Sequence, residues 1–83
     1  MVNEKKAQLL EIALEEGAVT LDYGLEVYSS KSNVSRALGD LEENDFLVEK
    51  EPPKISKYRK VWTLTEKGEA FLTYRDIEKE KTV

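Results

Sequence analysis

The chain of 83 residues contains no cysteine and no histidine. Without cysteine there can be no disulfide, thiolate metal site or cysteine nucleophile. Without histidine the commonest catalytic base and metal ligand is missing. The four glycines are scattered, so no glycine-rich phosphate loop is present either. We therefore expect a protein that is not an enzyme and that carries no cofactor and no metal.

Long apolar runs are also missing, since the longest have only a few residues and a bilayer span needs roughly 20. The first 14 residues are charged and amphipathic, unlike a signal peptide. Apolar residues make up 40% of the chain and charged residues 36%. We expect a soluble, cytoplasmic protein with no membrane partner, folded as one domain over residues 1–83.

The charge is weakly acidic overall, with 13 basic and 17 acidic residues and a net charge of −4. Nucleic-acid binders usually carry a basic excess, so the total argues against that class. However, residues 31–36 and 50–60 together hold seven basic residues and one acidic residue. This partition predicts one cationic surface on an acidic body, provided that the two segments lie side by side.

Capping residues and apolar spacing predict two helices in the first third of the chain. Asn3 is a good cap for a first helix that runs to about Glu16 and ends at Gly17. Its main apolar stripe is predicted to consist of Ala7, Leu10 and Leu14. After a short extended connector at residues 18–20, Thr20 is predicted to cap a second helix of about two turns.

The third helix, over about residues 31–44, has the clearest pattern, because Val34, Ala37, Leu38 and Leu41 follow helical spacing. Residues 46–51 and 58–64 are predicted to form two strands around a loop that contains Pro52 and Pro53. Thr65 is then expected to cap a last helix over residues 66–81. We predict that Ala70, Tyr74 and Ile77 line the inner face of this helix and that Leu72 points away from it.

A third helix behind a tight serine-rich turn matches the helix-turn-helix arrangement, and the hairpin adds a wing. Residues 32–38 (SNVSRAL), 41–48 (LEENDFLV) and 58–68 (YRKVWTLTEKG) resemble the patterns of winged helix-turn-helix transcription regulators of the MarR-like and PadR-like groups. The chain length also resembles small regulators of archaea and their viruses. Asp45 departs from the family pattern, which usually has glycine there.

The resemblance implies a mainly α fold with a small β hairpin (α+β), in the winged-helix order α-(β)-α-α-β-β-α. It also implies sequence-specific binding of double-stranded DNA by a transcription regulator that acts as a homodimer. In the third helix, Ser, Asn and Arg face away from the apolar stripe, and these types suit base edges in the major groove. Lys and Arg in the hairpin would contact phosphates or the minor groove. The predicted DNA-binding residues are Ser30, Lys31, Ser32, Asn33, Ser35, Arg36, Lys54, Lys57, Arg59 and Lys60.

Each part of this interface has a plainer alternative. The polar side of the third helix could be an ordinary solvated face, and the hairpin lysines could protect an edge strand from aggregation. The whole domain could also be a protein–protein interaction module that does not bind DNA, which the acidic body favours.

A homodimer through the first and last helices is predicted on two grounds. The apolar arc of the first helix is wider than one small domain needs, and Leu72 is expected to be exposed on the last helix. The sequence does not indicate the operator, the direction of regulation or a small-molecule effector.

Overall fold

The computed structural model describes residues 2–51 and 60–81, and for residues 77–81 it describes the backbone alone. The described chain is mostly helical with one two-stranded antiparallel sheet, which confirms the α+β class. The elements in chain order are α1 (Glu4–Glu16), α2 (Leu21–Gly24), α3 (Lys31–Glu43), β1 (Leu47–Lys50), β2 (Val61–Leu64) and α4 (Glu66–Lys81).

The predicted caps set the helix boundaries. The Asn3 side chain accepts a hydrogen bond from the Lys6 backbone N–H at 2.9 Å, and Gly17 ends α1 with a left-handed φ of 83°. The Thr65 hydroxyl accepts from the Gly68 N–H at 3.0 Å at the start of α4. These caps satisfy backbone groups that a helix end leaves without an intrahelical partner.

The second helix is shorter than predicted. Thr20 caps it as expected, by accepting from the Tyr23 N–H, but α-helical geometry ends at Gly24. The chain then continues to Tyr28 through a series of tight turns, most of which bond each N–H to the carbonyl three residues earlier. Instead of the two α-helical turns that were expected, this segment has one α turn followed by tighter turns of the 3₁₀ type.

The sheet pairs β1 with β2 in the register Leu47↔Leu64 to Lys50↔Val61. On the other side of β2, Val19 and Trp62 exchange backbone hydrogen bonds of 2.8 and 2.9 Å. The connector before α2 thus adds a single bridge to the sheet. Tyr58 and Pro52–Pro53, which the sequence placed in the hairpin, lie outside the described residues.

The core lies where α1, α3 and the sheet meet, with one residue from α4. Its buried members are Leu9, Leu10, Ala13, Val19, Val34, Ala37, Leu38, Leu41, Leu47, Trp62 and Leu72. The stripe predicted for α3 is confirmed in full. In α1 the prediction was wrong at Leu14, which is 55% exposed, because the helix turns its Leu9–Leu10–Ala13 side to the core.

The inner face of α4 was also assigned wrongly at Ala70 and Tyr74, while the side chain of Ile77 lies outside the described residues. Leu72 is only 4% exposed, whereas Ala70 is exposed and Tyr74 is 66% exposed. The orientation is fixed at Gly68, because a Cβ there would lie 2.3 Å from the Phe46 carbonyl oxygen. Gly68, Leu72 and Arg75 follow helical spacing, so the buried stripe contains a glycine and an arginine. A search for apolar residues overlooks such a stripe.

A left-handed turn closes the carboxyl end of α3. Asp45 has a φ of 63°, its N–H bonds to the Glu42 carbonyl at 3.1 Å, and the Phe46 N–H bonds to the Leu41 carbonyl at 2.9 Å. This pair of bonds is the Schellman motif, whose left-handed position is usually glycine. Asp45 therefore occupies the left-handed position of this motif, which glycine usually takes.

Asp45→Gly should raise the free energy of unfolding by about 0.5–1 kcal/mol, measured by urea denaturation. Glycine removes the left-handed penalty, and only part of that gain is lost to chain entropy. It also removes a carboxylate from the negative end of the helix dipole. Asp45→Asn is the control, because it removes the charge but keeps a side chain; its gain should be smaller. A glycine variant no more stable than wild type would contradict this account.

Candidate nucleic-acid interface

The start of α3 presents small polar and cationic side chains to solvent. The Ser30 hydroxyl accepts from the Asn33 N–H at 3.3 Å and fixes the first turn of the helix. The buried stripe that begins at Val34 holds the opposite side of α3 against the core. The predicted contact residues in this segment are therefore brought together as one surface, in which Ser30 is half-buried and the exposed members are Lys31, Ser32, Asn33, Ser35 and Arg36.

The exposed surface of α3 has two sides. Asn33, Arg36 and Asp40 follow helical spacing and line a groove shared with the start of α1. Ser35 lies at least roughly 100° around the helix from each of these three, on the side away from that groove. Ser32 lies between the two sides, only about 40° from Arg36. Arg36 is thus on the same side of α3 as α1, and no carboxylate among the described side chains of residues 2–51 and 60–76 pairs with it.

The start of α1 contributes a part of the groove that is not among the predicted contact residues. Lys5 lies with its Nζ 5.4 Å from the centre of the Tyr28 ring, and Lys6 Nζ is 3.1 Å from Asp40 Oδ2. Both lysines were counted in the acidic remainder of the chain. The charge pattern contains no signal that joins residues 5 and 6 to α3, because the contact is long-range.

Tyr28 forms one wall of the same groove. Burial raises the pKa of its phenol above the ordinary value, Lys6 lowers it and Asp40 raises it. The phenol therefore stays protonated at neutral pH. It remains able to donate a hydrogen bond to an acceptor in the groove.

The other end of α3 is acidic. Glu42 and Glu43 are exposed, and Glu42 Oε1 accepts a hydrogen bond from the Trp62 indole N–H at 3.3 Å. Trp62 is only 6% exposed, so it packs in the core and offers no ring face for base stacking. An anionic ligand that approaches α3 would meet favourable charge at the amino end and repulsion at the carboxyl end.

Lys60 is the one predicted hairpin contact within the described residues. It is exposed, and its Nζ lies 3.6 Å from Glu49 Oε1, a loose surface ion pair worth little. Lys54, Lys57 and Arg59 lie outside the described residues. That the basic hairpin lies beside the start of α3 therefore stays a prediction.

The first and last helices are joined by a polar clamp. The Arg75 guanidinium donates hydrogen bonds to Glu11 and to Glu4, which ties α4 to two turns of α1. The bond to Glu4 raises the pKa of Arg75 most, burial lowers it, and Glu11 raises it. Among the side chains described for these two helices, the exposed large apolar ones are Leu14 on α1 and Tyr74 on α4.

None of the known family profiles, curated proteins or solved structures matches this chain. Of the helices within residues 2–51 and 60–81, none combines the length and the apolar character needed to cross a membrane.

Proposed function

We propose that this chain is a winged helix-turn-helix regulator that binds double-stranded DNA sequence-specifically, with α3 in the major groove. One observation carries the proposal. The first two turns of α3 expose only small polar and cationic side chains, while the apolar stripe on the opposite side is fixed in the core. A ligand can therefore reach this face of α3 without any rearrangement of the fold.

The dimensions and chemistry of α3 fit this role. A helix with its side chains is about 10–12 Å across, and the major groove is about 12 Å wide. Arg36 can make two hydrogen bonds to guanine and Asn33 two to adenine, and a serine can bond to either base. Because Glu42 and Glu43 would repel phosphate, the helix enters the groove by its amino end.

The sheet supports the winged arrangement. The bridge between Val19 and Trp62 supplies the short strand that the order α-(β)-α-α-β-β-α requires before α2. The loop between β1 and β2 is then the wing, whose lysines and arginine contact phosphates or enter the minor groove.

The regulator acts as a homodimer through α1 and α4. The predicted exposure of Leu72 no longer supports this, since that residue is buried. The exposed side chains of Leu14 and Tyr74 support the dimer instead, because they place apolar surface on the two helices that Arg75 joins. A dimer doubles the contacts and reads two half-sites about one helical turn apart.

Selection of bound sequences from a random duplex pool tests the proposal directly. We expect enrichment of one motif with two-fold symmetry and half-sites about 10 base pairs apart. Enrichment of a single half-site would exclude the dimer and retain DNA recognition. Recovery of the pool without any enriched motif would reject sequence-specific binding.

Arg36→Ala should relax the selected motif at one base position in each half-site, with a loss of about 1–3 kcal/mol of discrimination there. Arg36→Lys is the matched control. It keeps the positive charge but lacks the planar fork that makes two bonds to guanine. It should therefore bind mixed sequence as tightly as wild type while losing the same preference. A motif unchanged in both variants would show that Arg36 does not read a base.

A further inference from the structure

The groove between α1 and α3, called the α1–α3 groove below, is a second feature of the candidate interface beside the exposed face of α3. It encloses about 340 Å³ and is lined mainly by polar and charged side chains. The lining includes Lys5 and Lys6 from α1, Tyr28 before α3, and Asn33, Arg36 and Asp40 from α3. The groove thus runs along the side of the helix that faces α1.

The charges in the groove do not cancel. Lys6 and Asp40 neutralise one another at 3.1 Å. Lys5 and Arg36 remain, and neither has a carboxylate partner among the side chains described, those of residues 2–51 and 60–76. The Lys5 ammonium is held near the Tyr28 ring, within the range at which a cation and an aromatic face attract one another. The groove therefore offers two unpaired cations to an anion.

Two hydrogen-bond donors accompany these cations. The phenol of Tyr28 is protonated at neutral pH, as argued above, and the Asn33 side-chain amide carries two N–H donors. A cation flanked by neutral donors suits a phosphate oxygen, which accepts several hydrogen bonds at once.

With α3 in the major groove, as proposed, a phosphate of the DNA backbone should lie close to the α1–α3 groove. Because the helix nearly fills the groove, the sugar–phosphate backbones pass along both of its sides. The elements that border α3 must then face those backbones. On the Asn33–Arg36 side, the bordering element is the start of α1.

We propose that the α1–α3 groove binds one phosphodiester group of the duplex backbone, with Lys5 as its cationic ligand and Tyr28 as its hydrogen-bond donor. This inference rests on the proposed function, because it assigns the backbone contact that positions α3. It makes α1 part of the DNA-binding surface, so the cationic surface includes residues that the charge pattern placed in the acidic body.

The experiment compares Lys5→Gln with wild type on a fluorescein-labelled mixed-sequence duplex of 24 base pairs. Binding is followed by anisotropy at several salt concentrations. Loss of one phosphate contact should make the log–log salt slope shallower by about 0.9 per subunit. From that slope, affinity at 100 mM salt should fall about eightfold per subunit.

Lys67→Gln is the matched control for net charge. Lys67 Nζ donates to the Asn44 carbonyl at 2.8 Å, at the far end of α3 from Lys5. Its replacement should leave the salt slope unchanged. Lys5→Arg should restore the wild-type slope, and circular dichroism establishes that each variant is folded.

Tyr28→Phe separates the hydrogen bond from the charge. It should weaken mixed-sequence binding about two- to tenfold, the effect of one hydrogen bond, without changing the salt slope. If Lys5→Gln keeps the wild-type slope, or if Lys67→Gln changes it equally, the phosphate site is refuted while DNA binding stands. If wild type does not bind the duplex, the proposed function fails and this inference fails with it.

Discussion

Gly24→Ala should destabilise the protein by about 3 kcal/mol, near the upper end of the usual range for overpacking. A Cβ on Gly24 would lie 2.2 Å from Val34 Cγ1 and 3.0 Å from Cγ2. Val34 is completely buried, so its side chain has no free space to move into. The methyl group must therefore push α2 away from α3, at the point where the first turn of α3 is positioned.

Urea denaturation followed by Trp62, the only tryptophan, would measure this loss. Gly39→Ala is the matched control, because a Cβ there meets nothing within 4 Å. On an exposed helix position it should stabilise the protein by up to about 1 kcal/mol. The two glycines should thus respond in opposite directions to the same substitution.

A double mutant tests the cause. Val34→Ala alone should cost about 1–3 kcal/mol through lost burial, and it removes both methyl groups that obstruct Gly24. The double variant should therefore be much less destabilised than the sum of the two single variants. If the two losses simply add, or if Gly24→Ala costs less than 1 kcal/mol, close packing of α2 on α3 is not what requires glycine here.

Local features of the sequence predicted where α1, α2 and α4 begin. Asn3, Thr20 and Thr65 each cap the helix that was expected, because a cap depends on residues three positions apart. The α3 stripe was also predictable, since four apolar residues at helical spacing leave one choice of inner face. These features need no knowledge of the rest of the fold.

The orientation of α4 could not be predicted in the same way. Its inner face is set by the close approach of Gly68 to the Phe46 carbonyl and by the bonds of Arg75 to α1. Both are long-range contacts made by residue types that apolar periodicity ignores. The pattern therefore selected Ala70 and Tyr74, which follow an equally regular spacing on the exposed side.

The candidate site also has one part that could be predicted from the sequence and one part that could not. The exposed residues of α3 were predictable, because they are what remains once the buried stripe is assigned. The α1–α3 groove was not, because it depends on how α1 crosses α3 and brings Lys5 beside Tyr28. Net charge per segment could not reveal it, since Tyr28, Asn33 and Arg36 are far from Lys5 in the chain and lie beside it only in the fold.

The affinity for mixed-sequence duplex DNA should fall about 10⁴-fold between 50 and 200 mM salt. This follows from about four phosphates neutralised per subunit of a dimer, which gives a log–log slope of roughly −7. The steepness matters because the whole chain carries a net charge of −4 and the duplex is itself anionic. Binding can then occur only through a local cationic surface that displaces counterions, and its strength must depend on salt.

Anisotropy titrations of a labelled duplex at several salt concentrations measure this slope. A slope near −3.6 would correspond to four phosphate contacts in total, half the number expected of the dimer. A flat response would reject the cationic surface and favour the alternative, a module that binds another protein. The same titration with Glu43→Gln provides a control, since removal of a carboxylate at the acidic end of α3 adds no phosphate ligand. That variant should bind somewhat more tightly with an unchanged slope, because weaker repulsion and fewer released counterions are different effects.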